Sequence, residues 1–345
     1  MDSIHESQEK RTRKRYRLIL LVAFIALCCA VLLSFLVGYY PLTPTDVFKA
    51  FASRLGYRTT VSPQALTIFW NIRLPRILSG ALIGASLAVA GSVYQGMFRN
   101  PLVSPDILGV TSGASLGAAI AILNGSPNWL IQLSAFAGGL IAVTLTYIIS
   151  RSSAHSRTLS LVLTGSMIMA LCNAGVTMIK YIANPNDVLP QLTFWLMGSL
   201  TKVNMEALGW SAVPILVGLV TVLLLRWRIN LLTLDDEEAK SLGTNTIRYR
   251  LIFIIASTLI SAAAVCLGGL IGWVGLMVPH LCRAFTGPDH NRLIPACAMV
   301  GAAYLVLMDD VARSVLSLEL PLGVVTSVIG APFFLFLIVN RKKER

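Results

Sequence analysis

Arg73 and Arg76 stand three residues apart in the run Arg73-Leu74-Pro75-Arg76, just ahead of an uncharged stretch, and Arg313 stands at a similar junction far along the chain. Guanidinium groups at such places can snorkel to lipid phosphates. They can also hold the carboxylates of an acidic partner through charge-assisted hydrogen bonds. Arg313 has a further option, an intrahelical pair with Asp309 or Asp310 at i−4 and i−3.

A second group is acidic. Thr233-Leu234-Asp235-Asp236-Glu237-Glu238-Ala239-Lys240-Ser241-Leu242-Gly243 reads as a short helix with both ends written in. Thr233 is placed to cap it, with Asp236 at capping-box spacing. The carboxylates fall in the first turn, where the helix dipole favours them, and Gly243 fits the left-handed stop. A helix of about nine residues is marginal in water and needs a surface to pack on. That surface is either its own bundle or a partner protein that it docks.

A third group is polar but uncharged: Gln95, Asn100, Thr164 and Asn173, with Asp106 beside them, lie in or next to apolar runs. Asn100-Pro101-Leu102 and Pro105-Asp106 predict a broken turn. Irregular backbone at membrane depth survives only when protein covers it or when it lines a cavity. A plain loop is the other reading.

These groups do not form a reaction centre. There is no G-x-x-x-x-G-K-[ST] phosphate loop and no Ser/His/Asp arrangement. No Asp or Glu sits mid-span, where ion-coupled carriers usually keep one. His280, Cys282 and His290 are too loosely spaced for a metal site. No catalytic residue, metal or cofactor is expected. The cysteines, Cys28, Cys29, Cys172, Cys266, Cys282 and Cys297, are read as buried free thiols.

The elements that carry these residues are helices in lipid. Of 345 residues, 55% are hydrophobic and 13% charged, with mean hydropathy +0.73; soluble chains carry roughly 25% charged residues. About 20 apolar residues cross the hydrocarbon core as a helix. Uncharged runs at 18–38, 77–98, 107–150 (two spans, broken by Asn124-Gly125-Ser126-Pro127-Asn128), 159–179, 207–225, 251–282 (a full helix and a shorter one around Gly268, Gly269 and Gly272), 293–308 and 320–340 predict ten transmembrane helices. The fold class is therefore all-α, a polytopic integral membrane protein. The larger share of the 28 Lys and Arg residues falls on one side, which predicts both termini inside. The net charge of +12 then marks anchors beside anionic lipid, not a nucleic-acid patch, since it is split among loops. The basic, apolar N-terminus is read as a retained first helix, not a cleaved signal.

Segments 39–71 and 183–205 are expected outside as soluble stretches, and 226–250 is expected as a cytoplasmic connection between spans. Residues 1–17 form a basic segment, 18–340 the membrane domain, and 341–345 a tail. Gly109, Gly113 and Gly117, Gly80 and Gly84, and Gly268 and Gly272 repeat every four residues, as close-packed helix faces do. A weak echo between 81–106 and 261–289 hints at an internal repeat.

Arg73-Leu74-Pro75-Arg76, the glycine-rich 80–91, Phe98-Arg99-Asn100-Pro101-Leu102, Pro105-Asp106-Ile107-Leu108-Gly109 and Ser112-Gly113-Ala114 together resemble the FecCD family of importer permeases. So do Gly269-Leu270-Ile271-Gly272-Trp273-Val274-Gly275-Leu276, Val278-Pro279-His280, Glu319-Leu320-Pro321-Leu322-Gly323-Val324-Val325-Thr326 and Gly330-Ala331-Pro332. The similarity runs from about residue 20 to 340, and residues 1–16 stand outside it. The resemblance implies an ABC type II importer subunit in the cytoplasmic membrane of a bacterium or archaeon. It implies a homodimer around a central pathway, a substrate-binding protein outside and two ATPase subunits inside. By resemblance, Arg73, Arg76 and Arg313 match arginines that pair with glutamates of the binding protein. Thr233, Leu234, Asp235, Asp236, Glu237, Glu238, Leu242 and Gly243 match the ATPase-coupling segment. Asn100 and Leu102 match the gate region, and Thr164 is placed on the pathway. The implied cargo is an iron(III)–siderophore chelate, with haem, a corrinoid or an oxyanion such as molybdate as alternatives. A secondary carrier and a polytopic enzyme are the rival classes.

Overall fold

In a computed structural model, residues 2–38, 40, 42–56, 61–152, 157–316 and 318–341 are described. They form fourteen α-helices and, among the described residues, no strand. In chain order the helices are α1 Asp2–Leu36, α2 Pro44–Arg54, α3 Pro63–Thr67, α4 Leu74–Met97, α5 Val110–Leu123, α6 Asn128–Ser150 and α7 Arg157–Ile182. Then follow α8 Val188–Met197, α9 Met205–Leu232, α10 Asp236–Ser241, α11 Thr246–Gly268, α12 Val274–Thr286, α13 His290–Ala312 and α14 Leu322–Arg341. A π-helical turn, Ile68–Arg73, carries α3 into α4, and a 3-10 turn, Pro105–Leu108, precedes α5. Residues 342–345 of the expected tail lie outside the described residues.

Each of the ten expected spans coincides with a helix: α1, α4, α5, α6, α7, α9, α11, α12, α13 and α14. Among the described residues, seven helical runs are long and apolar enough to cross a membrane. By contrast α5 has 14 residues and α12 has 13, short of the roughly 20 that a full crossing takes.

α4 is the axis of the bundle, buried along most of its length and packed on α9, α11, α12 and α13. Its glycines make that possible. A Cβ on Gly91 would stand 1.8 Å from the Gly275 carbonyl oxygen, and one on Gly84 would stand 2.1 Å from that of Gly301. Backbones this close gain dispersion contacts that lipid cannot offer more cheaply. Gly113 and Gly117 play the same part against Gly138 and Ser134 of α6. Two expected members of these faces do not belong to them. Gly109 precedes α5 in the left-handed region, φ +85°, where it ends the 3-10 turn, and Gly272 lies outside any helix with open space around it.

Other expectations also change. Residues 183–205 are not simply a soluble stretch: α8 is an apolar helix whose Leu192 is fully buried against α5. The described part of segment 39–71 holds α2, α3 and the first residues of the π-helical turn. A reciprocal Thr43–Asp46 capping box starts α2, and Phe35, Phe51, Phe69 and Trp70 stack it onto α1. The connection set at 226–250 is shorter, because α9 continues to Leu232 and α11 begins at Thr246. Buried Ile229 and Leu232 extend the core face of α9 past its last uncharged turn, while Arg228 lies over Trp227 and Tyr249. Thr233 is therefore not the cap of the acidic helix. It closes α9, its hydroxyl donating to the Asn230 carbonyl at 2.6 Å, and α10 starts only at Asp236.

Candidate functional site

Polar residues gather at the two ends of the bundle, and an irregular apolar region lies between. At one end the π-helical turn delivers Arg73 and Arg76 to the start of α4, facing α13. Arg76 holds Asp309 as a fork, with Nε to Oδ2 at 2.8 Å and Nη2 to Oδ1 at 2.9 Å. Its Nη1 donates to Glu319 at 2.9 Å, and Glu319 also accepts the Thr201 hydroxyl at 2.9 Å. Arg313 pairs with Asp310 one turn back on α13 and donates to the Ser34 carbonyl of α1 at 2.9 Å. Arg73 donates to the carbonyls of Phe35 and Tyr40.

Arg73, Arg76 and Arg313 are 3%, 7% and 7% exposed. Arg76 and Arg313 thus meet the buried carboxylates of Asp309 and Asp310 and the half-exposed Glu319, Arg73 is held by backbone carbonyls, and α1, α4, α13 and the loops holding Thr201 and Glu319 are tied at one point. The intrahelical alternative for Arg313 is the one present. Glu319 is the accessible member of the cluster, its side chain 38% exposed. Partial burial would raise its carboxyl, but the hydrogen bond and charge of Arg76, with help from Thr201, hold it below the usual glutamate range.

At the opposite end, Asn100 and Leu102 sit together in the exposed turn after α4, where the Asn100 side chain accepts the Leu102 amide at 2.9 Å. Gln95, buried one turn above, donates to the carbonyls of Val103 and Gly275, each at 3.3 Å, and accepts from Arg283 at 3.0 Å. Asp106 accepts the Thr111 hydroxyl, which fixes the 3-10 turn to α5. Thr164 is not brought into this group. It is buried on α7 beside Gly165, whose backbone rests on the Ile107 carbonyl.

The acidic segment lies at this same end. Asp235 leads into α10, with the Ala239 amide on its carbonyl at 2.8 Å. Ala239 is fully buried, while Glu237, Glu238 and Leu242 are exposed. Gly243 takes the left-handed stop at φ +72°, and the Thr244 amide returns to the Ala239 carbonyl at 3.1 Å. Among the described side chains of α10, Ala239 is the buried one and Glu237 and Glu238 face solvent.

The irregular middle is built from three breaks. α11 stops at Gly268, and the Gly269–Trp273 stretch includes two left-handed residues, Gly269 at φ +71° and Trp273 at φ +69°. Its backbone is partly satisfied by a second break, Ser199 N–H reaching the Gly268 carbonyl at 2.9 Å, and the Leu322 amide reaches Gly198 at 3.0 Å. Beside them lies a cavity of about 430 Å³, lined by Leu196, Met197, Leu270, Gly272, Gly323, Val324, Ser327 and Val328. The lining is apolar side chains and backbone with one hydroxyl.

Sequence reasoning did not single out Arg99, Trp273, or Asp309 as the partner of Arg76. A left-handed arginine or tryptophan has no pattern of its own, and Arg76 and Asp309 are 233 residues apart. Asn230 is another: it joins Asp289, at 2.7 Å, to the backbone and ring of His290. His290 is thereby held on an asparagine. Among the described residues no three His, Cys, Asp or Glu side chains converge to hold a metal ion.

A helical bundle whose helices break between two polar ends has the layout of a transport permease. The profile of the FecCD transport family matches residues 24–340. The chain is 37% identical over 328 residues to the molybdate import permease MolB of Haemophilus influenzae, covering 95% of this chain and 97% of that one. It is 40% identical over 275 residues to an iron chelatin transport permease of Helicobacter pylori, covering 80% and 83%. A solved inward-facing structure described as a metal-chelate type ABC transporter superposes with a TM-score of 0.84 at 37% identity, covering 93% of this chain and 99% of that one. The chain belongs to the FecCD family: it is a multi-pass ABC-importer permease, a transport component and not an enzyme.

Proposed function

We propose that this permease moves an iron(III)–siderophore-type chelate inward across the cytoplasmic membrane by alternating access. The observation that carries the cargo reading is the lining of the cavity. Apolar side chains and glycine backbone suit a large organic chelate that wraps its metal charge. A dehydrated oxyanion needs converging donors, and no arginine lines the cavity: Arg76 and Arg313 are spent on Asp309, Asp310 and Glu319, and Arg73 on the carbonyls of Phe35 and Tyr40. The open side of the cavity, bounded by Val324 and Val328 of α14, is consistent with a second copy completing the pathway as a homodimer.

In this reading both termini, α10 and the Asn100–Leu102 gate face the cytoplasm, and the arginine cluster faces outward. A binding protein delivers the chelate at the arginine end. Because Arg73, Arg76 and Arg313 are buried, a carboxylate of that protein engages them by taking the place of Glu319 on Arg76, an exchange between acceptors of equal charge. Two ATPase subunits dock on the acidic face of α10, and their closure moves the bundle and its gates. Thr164, inside the single chain, contributes to the pathway only after helices move.

The cargo test uses proteoliposomes holding the complete importer and its binding protein, offered ferric siderophore, haem, cobalamin and molybdate in turn. Saturable ATP-driven uptake is expected for the siderophore. Uptake of molybdate alone, the reading that the MolB similarity favours, overturns the cargo assignment and leaves the permease assignment standing.

A further inference from the structure

α4 ends in a hydrogen-bonded turn in which the Asn100 amide returns to the Gln95 carbonyl at 3.1 Å and the Arg99 amide to the Gly96 carbonyl at 3.2 Å. That pattern places residue 99 in the left-handed region, φ +53°, the position glycine normally fills at a helix end. A Cβ is disfavoured there, so what the side chain reaches must hold it in place. It reaches across to the end of α9. The guanidinium donates to the Leu232 carbonyl at 3.4 Å and to the Leu234 carbonyl, and it pairs with the Asp235 carboxylate. A cation there also answers the negative end of the α9 dipole.

We propose that Arg99 is the positioning residue that ties the coupling segment to the gate turn, so that a push on α10 moves Asn100 and Leu102. The inference rests on the ATPase-docking reading of α10 given above. The ion pair alone is a weak link, because Asp235 is 83% exposed and surface pairs contribute little. The fork of arginine, which bridges two backbone carbonyls and a carboxylate at once, makes the contact directional, and a lysine has no such fork. From the gate turn the path continues through Gln95, which holds both the Val103 carbonyl after the turn and the Gly275 carbonyl at the start of α12.

The test compares wild type, Arg99→Gly and Arg99→Lys as complete importers in proteoliposomes, reading uptake and ATP hydrolysis together with the melting temperature of each complex. Glycine suits the left-handed position, so Arg99→Gly should melt at or above wild type and keep its ATPase subunits. Transport per ATP hydrolysed should fall about tenfold, with Arg99→Lys between the two. An unchanged ratio in Arg99→Gly overturns the inference while the importer reading stands. A lower melting temperature with uptake and hydrolysis falling in parallel marks Arg99 as merely structural and also overturns it. Absence of ATP-driven uptake in wild type defeats the importer reading, and this inference with it.

Discussion

Arg76→Ala is expected to destabilise the chain by about 3–5 kcal/mol, the cost of leaving a buried charge without its partner. Asp309 is 2% exposed, and Arg76 supplies both arms of its fork. Without Arg76, the nearest guanidinium is Arg313, whose Nε is 3.6 Å from Asp309 Oδ2 and which already serves Asp310. Glu319 suffers less, because water reaches it. Arg76→Lys should fall between, since a point charge cannot reproduce the fork. Arg76→Met with Asp309→Leu should recover most of the loss, because removing both charges leaves nothing unpaired. Thermal unfolding of the detergent-purified chain provides the check. If Arg76→Ala melts with wild type, the cluster does not clamp α4 to α13.

Asp236→Lys combined with Glu237→Lys is expected to abolish coupled uptake while leaving the fold in place. Among the described side chains of α10, Ala239 is buried and Glu237 is exposed, so reversing charge at the start of this helix is expected to have little effect on packing. The local cost is the loss of two carboxylates from a helix N-terminus, about 0.3–1 kcal/mol each. At a docking face, like charge set against like charge costs several kcal/mol. Each 1.4 kcal/mol is tenfold in binding, so a loss on the order of 100-fold in docked ATPase is expected. Co-purification of the ATPase subunit and radiolabelled uptake measure the two consequences. Normal uptake from the double variant would falsify the docking assignment.

The spans were legible because a run of some 20 residues without a charge has few explanations besides lipid. The break inside 251–282 was legible too, since Gly268 and Gly269 mark the end of α11. Spacing offered Arg313 either Asp309 or Asp310 as an intrahelical partner, and the close pair is with Asp310. Contacts distant in sequence were not legible. Arg76 meets Asp309 only because α4 and α13 pack face to face through Gly84 and Gly301, and no local pattern announces that. Thr233 misled for a related reason: its spacing to Asp236 fits a cap, but the buried face of α9 keeps the chain helical through Leu232 and claims the threonine as an end. Arg99 and Trp273 hold backbone conformations that their side chains oppose, so propensity points away from them, and each marks a place where a contact elsewhere prevails.

The central claim is that this bundle supplies a route and takes its energy from another polypeptide. Its most direct test is uptake into proteoliposomes containing the permease alone, or the permease with its ATPase and binding protein, with and without ATP. The account predicts accumulation against a gradient only in the complete, ATP-supplied system. Accumulation by the permease alone, driven by a proton or sodium gradient, would contradict it.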